Sequence, residues 1–179
     1  MVGARGYHSA TISQICASAG VSRRTFYSYF QSKEECYREA FDRIGQHLDH
    51  VMEEAANRID GDWPAQVRAR LVVLLETFAA NPDLFRFIWI APLRAGETIS
   101  TLPQDALERL LRALLSGKPS ANLRQASEVV EHSMAGGMMG LIASRVESGR
   151  GDDLPDLLPD LVELFLTPYL GRTHAEQVV

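Results

Sequence analysis

The sequence predicts an all-α protein: an N-terminal helix-turn-helix joined by a long helix to a C-terminal helical body. Three observations carry this. Residues 11–33 hold two short helical segments around a Gly-Val-Ser turn. An apolar stripe at helical spacing runs unbroken from Cys36 to Ile59. Strand-like alternation, internal repeats and low-complexity tracts are all absent.

The first predicted helix opens at Thr11, with Gln14 three residues on in capping-box spacing. Ile12, Ile15, Cys16 and Ala19 then share one face. Gly20 stands where the chain must leave the helix with φ > 0, which glycine does without steric cost. Val21 is expected as the buried plug of the turn. Ser22 is the next N-cap, and Phe26 and Phe30, at i and i+4, are expected to pack inward. Arg23, Arg24, Thr25, Tyr27, Ser28 and Tyr29 are left on the outer face and the helix start. Ser32, with Glu35 three residues later, opens a third helix with Lys33 in its first turn.

That third helix is expected to reach about Ile59, on the stripe Cys36, Ala40, Phe41, Ile44, Leu48, Val51, Met52, Ala55, Ile59. Asp60-Gly-Asp-Trp-Pro64 ends it, and Pro64 suits the first turn of the next helix, to about Ala80. Asn81-Pro82-Asp83 reads as a turn and Leu84 to Ile90 as a short aromatic helix. Ala91 to Thr101 reads as irregular and Pro103 to Leu115 as helical. Ala121 to about Ser148 reads as one long helix, Gly149 to Asp153 as a loop, and about Leu157 to Leu170 as the last helix.

Charge is distributed unevenly. Residues 1–33 carry Arg5, Arg23, Arg24 and Lys33 and no acid, while the whole chain has a net charge of −5. A basic end on an acidic body fits a DNA reader whose other surface stays off the phosphates. No apolar run is long enough to span a membrane. Met1 to Arg5 has no apolar segment of the kind a signal peptide needs. Cys16 and Cys36 fall at core-facing helical positions and are expected to be buried and reduced, in a cytoplasmic protein.

Arginine donates twice to a guanine edge, and threonine and tyrosine hydroxyls donate to phosphate oxygens. Arg23, Arg24, Thr25 and Ser28 are therefore the candidates for base edges, and Tyr27, Tyr29 and Lys33 for phosphates. Ser22, at the helix start, is counted with them, and Thr11 and Ser13 are placed to reach the backbone. The plainer alternative is a solvated polar face with Tyr27 and Tyr29 half-buried.

No Ser-His-Asp, paired-carboxylate or HExxH arrangement is present, so no enzymatic activity and no cofactor are expected. His47, His50 and Glu54 share one side of the third helix but read as a solvated flank, not a metal site. Gly136-Gly-Met-Met-Gly140 lacks the preceding strand and full fingerprint of a phosphate loop.

The order Gly6-Tyr7, Thr11, Ile15-Cys-Ala17, Ala19-Gly-Val-Ser22, Thr25-Phe-Tyr27, Tyr29-Phe30, Ser32-Lys-Glu34 resembles the DNA-binding domain of the tetracycline-repressor (TetR) family of bacterial regulators. The likeness covers residues 5 to about 45; beyond that it is architectural. It implies a DNA-binding domain in residues 1–45 and a helical effector-binding and dimerisation domain in residues 46–179. It also implies a homodimer paired through the last two long helices, a palindromic operator, and a small-molecule effector. The expected function is that of a dimeric, sequence-specific transcriptional regulator, most simply a repressor. The effector would enter the body, tilt the third helix and change the spacing of the two recognition helices.

For an apolar effector the candidates are Phe78, Phe85, Trp89, Leu110, Met134 and Met138, with Leu84, Phe87 and Ile88 beside them, since clustered aromatics and methionines suit an adaptable cavity. Glu131 and His132 are polar handles that face either a ligand or water. The resembled family carries a further helix ahead of Gly6, of which Met1 to Arg5 would supply the final turn. A start placed too far downstream, a lost upstream segment and a genuine absence all remain open. In the last case Ile12, Ile15, Val21 and Phe26 lose a packing partner. The alternative function is then a helical ligand-binding or interaction protein that no longer binds DNA.

Overall fold

The computed structural model describes residues 6–95, 99–119 and 123–171, and every regular element among them is helical. The final turn expected at Met1 to Arg5 lies outside the described residues. In chain order the helices are α1 (Ile12–Ala19), α2 (Arg23–Tyr29), α3 (Lys33–Asn57), α4 (Trp63–Ala80), α5 (Pro82–Phe85), α6 (Ala91–Leu93), α7 (Leu102–Leu115), α8 (Glu128–Glu147) and α9 (Leu158–Leu170). A π-helical turn, Arg86–Ile90, fuses α5 to α6, and a 3₁₀ turn, Gly151–Leu157, leads into α9.

Local signals set the helix starts. Thr11 accepts from the Gln14 N–H while Gln14 reaches back to the Thr11 N–H, the complete capping box. Ser22, Ser32 and Asp62 each accept from the N–H three residues on. Gly20 leaves α1 at φ 67°, in the left-handed region.

The body packs around α4, which lies against α3, α9 and the 3₁₀ turn. Its helix is apolar nearly all round, with Val67, Leu71, Leu74, Leu75 and Phe78 buried, as a central helix must be. Trp63 seats edge-on against Tyr169 of α9 and donates its indole N–H to the Leu114 carbonyl at 2.9 Å, so its polar atom is satisfied inside the core. Arg70 is buried as well, bonding Glu53 at 3.2 Å and the Ser116 carbonyl at 3.3 Å, and so ties α3, α4 and the end of α7 together.

Several boundaries differ from the sequence reading. The aromatic helix does not stop at Ile90: Ala91–Leu93 continues it past the π turn, and Ile99 is fully buried in a stretch expected to be irregular. Gly96 to Thr98 lie outside the described residues. The long helix expected from Ala121 begins at Glu128, because Ser127 caps it there and the Arg124 N–H goes to the Tyr169 carbonyl instead. Its expected start, Ala121, lies outside the described residues. On α3 the buried stripe is Tyr37, Phe41, Leu48, Met52 and Ala56; Cys36 is half-buried and Ile59 exposed. Cys16 is buried as expected, and both thiols are free. No described helix is long and apolar enough to cross a membrane.

Candidate nucleic-acid interface and effector cavity

The candidate recognition surface is built on α2. Ser22 holds its start by accepting from the Thr25 N–H at 3.0 Å, and the Ser22 and Thr25 hydroxyls meet at 2.9 Å. Ser28 folds its hydroxyl back onto the Thr25 carbonyl at 2.7 Å. Phe26 alone of this helix is buried, with its ring 5.4 Å from that of half-buried Phe30. Arg23, Arg24, Thr25, Tyr27, Ser28 and Tyr29 are all exposed. Tyr27 and Tyr29, at 52% and 75% exposure, are clear of the half-buried alternative. Thr11 and Ser13 are exposed at the start of α1.

Two expectations change here. Val21 is 40% exposed, not a buried plug: backbone bonds close the turn, from the Val21 N–H to the Cys16 carbonyl at 3.0 Å and from Gly20 to Ala17 at 3.4 Å. Lys33 is placed less as a free cation than as a clasp. Its ammonium donates to the carbonyls of Tyr7 at 2.8 Å and Ala10 at 3.0 Å, and sits 4.1 Å from the centroid of the Tyr7 ring. Two of its three protons are thereby committed to the segment that leads into α1.

That segment is wired to the body. Tyr7 meets Tyr37 edge-to-face at 5.3 Å, and Tyr37 stacks on Phe87 of the π turn at 4.3 Å while its hydroxyl donates to the Phe87 carbonyl. Burial, and then Tyr7, push the Tyr37 phenol well above its ordinary range, so it stays protonated and donating. Sequence reasoning missed this contact: a mid-helix tyrosine and a π turn carry no joint signature.

One largely apolar cavity reaches the inner face of α3. Phe41, Gly45, Leu48, Asp49, Met52, Leu74, Phe78, Ile88, Ala106, Arg109, Leu110 and Met139 line it, around a void of about 40 Å³. Of the effector candidates it takes Phe78, Ile88 and Leu110. Phe85 and Met138 are fully buried in the core, and Trp89 is half-buried beside it. Met134 lines a separate surface groove between α8 and α9, with Val130, Glu163 and Leu164. The helical period explains the exchange on α8: Met139 stands about 100° round from Met138 and takes its place. The α3 residues were read as plain core stripe, which is why they were missed. Glu131 accepts from the Tyr169 hydroxyl at 2.7 Å, and the His132 ring pairs with the Glu128 carbonyl, so both handles are engaged within the chain. Among the described residues no group of three or more His, Cys, Asp or Glu is placed to hold a metal.

Residues 1–40 match the family described as bacterial regulatory proteins, tetR family. A stretch of 77 residues, 42% of this chain, is 32% identical to the HTH-type transcriptional regulator EthR of Mycobacterium tuberculosis, and the same likeness holds for EthR of Mycobacterium bovis. The match spans 36% of those relatives' length. Among solved structures, FadR of Bacillus subtilis in complex with stearoyl-CoA shares the fold with a TM-score of 0.76 at 20% identity, over 93% of this chain and 92% of that one. A TetR-like transcriptional regulator from Rhodococcus sp. RHA1 follows at 0.61 and 21% identity, over 89% of this chain and 86% of the other. The first 40 residues thus match the segment of that family, and the chain as a whole shares its helical fold with these two solved structures.

Proposed function

We propose that the chain is a dimeric, sequence-specific DNA-binding transcriptional regulator of the cytoplasm, acting as a repressor that a small-molecule effector releases from a palindromic operator. Residues 1–45 would read the DNA, and residues 46–179 would bind the effector and dimerise. The observation that supports the reading is α2 itself, a helix with one aromatic anchor, Phe26, buried and with Arg23, Arg24, Thr25, Tyr27, Ser28 and Tyr29 all exposed. In this reading Arg23, Arg24, Thr25 and Ser28 contact base edges. Tyr27, Tyr29, Thr11 and Ser13 contact phosphates, and Ser22 and Lys33 set the helix and its approach.

Dimerisation draws support from α8 and α9. Gly136, Gly137 and Gly140 sit mid-helix, where glycine costs about 1 kcal/mol each, and among the described residues nothing beyond their chain neighbours and the helix's own nearby backbone comes within 4 Å of where their Cβ atoms would be. Val129, Val130 and Leu141 on α8 and Leu164 on α9 are exposed in the same region. A second copy laid on this face would account for both. An effector with an apolar part is supported by the cavity against α3 and by the stearoyl-CoA carried by the FadR neighbour.

A second reading, a helical ligand-binding protein without DNA binding, is favoured by one observation: Cys16 and Phe26 are the only buried residues of α1 and α2. Sedimentation of the chain with random-sequence duplexes tests the choice. Two chains per duplex are expected. A monomer, or a dimer that leaves the duplex free at micromolar protein and low salt, would overturn the regulator.

A further inference from the structure

The mouth of the cavity against α3 carries a charge pattern that defines what it admits. Arg109 of α7 lies across Gly45 and reaches two turns of α3 at once, bonding Asp49 at 2.9 Å and Asp42 at 3.3 Å. Asp42, Gly45 and Asp49, at i, i+3 and i+7, share one face of the helix. The fit is close, since a Cβ at Gly45 would stand 3.2 Å from Cδ, Nε and Cζ of Arg109 and the side chain would have to give by a few tenths of an ångström. Beneath this clasp the walls are apolar, with Phe41, Leu48, Leu74, Phe78 and Met139. At about 40 Å³ the void holds no more than a few waters, so a larger guest enters only if the clasp opens.

We infer that the guest is an apolar molecule bearing a single cationic head, which takes the place of the Arg109 guanidinium between Asp42 and Asp49. This rests on the effector-binding reading above and names the ligand class. Two carboxylates face one guanidinium, so the mouth holds one negative charge in excess. A cationic head satisfies both aspartates as Arg109, already 24% exposed, swings into water. A carboxylate head would have to draw Arg109 away from two partners and then sit beside both. An uncharged head gains the apolar walls and nothing at the mouth. Opening the clasp also removes the ion pairs that tie α3 to α7, and α3 carries α1 and α2 at its other end.

The test is binding of octylammonium, octan-1-ol and octanoate to the full chain by calorimetry at neutral pH. One unit charge at about 4 Å in water-like surroundings is worth a factor of about five in affinity. The expected order is therefore octylammonium, then octanol by about fivefold, then octanoate. Asp42→Asn with Asp49→Asn should erase the preference for the cationic head, with octanol bound at least as tightly because no ion-paired clasp then has to open. Arg109→Gln, which removes the competitor and keeps both aspartates, should tighten octylammonium about fivefold by the same electrostatics. Octanoate binding as well as octylammonium, no binding by any of the three, or Arg109→Gln weakening octylammonium would each overturn the inference. Failure here with DNA binding intact would remove the ligand class and leave the regulator standing. Octylammonium binding without DNA binding would support the ligand class while removing the regulator.

Discussion

The Tyr37 ring stacks on Phe87 with centroids 4.3 Å apart, and its hydroxyl donates to the Phe87 carbonyl. These two residues join the N-terminal end of α3 to the π turn, where the residue after Phe87, Ile88, lines the cavity. Lys33, Tyr37 and Phe41 follow one another at four-residue spacing on α3. One helix face thus touches in turn the segment ahead of α1, the π turn and the cavity.

Tyr37→Phe keeps the stack and leaves the Phe87 carbonyl without its donor. The expected cost is about 1–3 kcal/mol, the penalty of an orphaned, partly buried acceptor. Calorimetric melting should show it as a fall of roughly 2–4 °C per kcal/mol. An unchanged melting temperature would mean the bond contributes nothing.

Lys33→Met removes the clasp on the Tyr7 and Ala10 carbonyls. DNA affinity should fall alike for all sequences, because the approach of α1 and α2 loosens, with no change in the salt dependence of binding. A direct phosphate contact would instead lower the log–log salt slope by about 1. Fluorescence anisotropy across a salt series separates the two.

Arg23→Ala and Arg24→Ala should leave folding untouched, since both side chains are exposed. Where the arginine reads a base edge, affinity for the preferred sequence should drop by about 1–3 kcal/mol and specificity relax at that position. A uniform loss over all sequences would assign that arginine to the backbone.

Leu141→Glu with Leu164→Glu places two charges on the exposed α8–α9 face. Sedimentation mass should fall from twice the 19.9 kDa chain mass to once, with the helical signal unchanged. A dimer that survives would put the interface elsewhere.

Signals confined to a few residues were readable in the sequence. Thr11 with Gln14, Gly20, Ser22 and Ser32 each set their own backbone through one cap or one left-handed residue, and each does so in the fold. The outward set on α2 followed from the spacing of Phe26 and Phe30. What depends on distant partners was not readable. Arg109 meets Asp42 across 67 positions, and Tyr37 meets Phe87 across 50. Phe41, Leu48 and Met52 look like core stripe from sequence, because a cavity wall and a core share one residue chemistry. The start of α8 was misplaced because Ser127 was passed over as a cap, and Val21 because backbone bonds close its turn without burying it.

The most direct test of DNA reading is selection from a random duplex library with the purified chain, sequencing the bound fragments and repeating the binding at 50 and 200 mM salt. The expected result is a palindrome with half-sites about one helical turn, 34–36 Å, apart, bound with an affinity that falls steeply with salt. Recovery of unenriched sequence at both salt concentrations would contradict it and leave a helical ligand-binding protein.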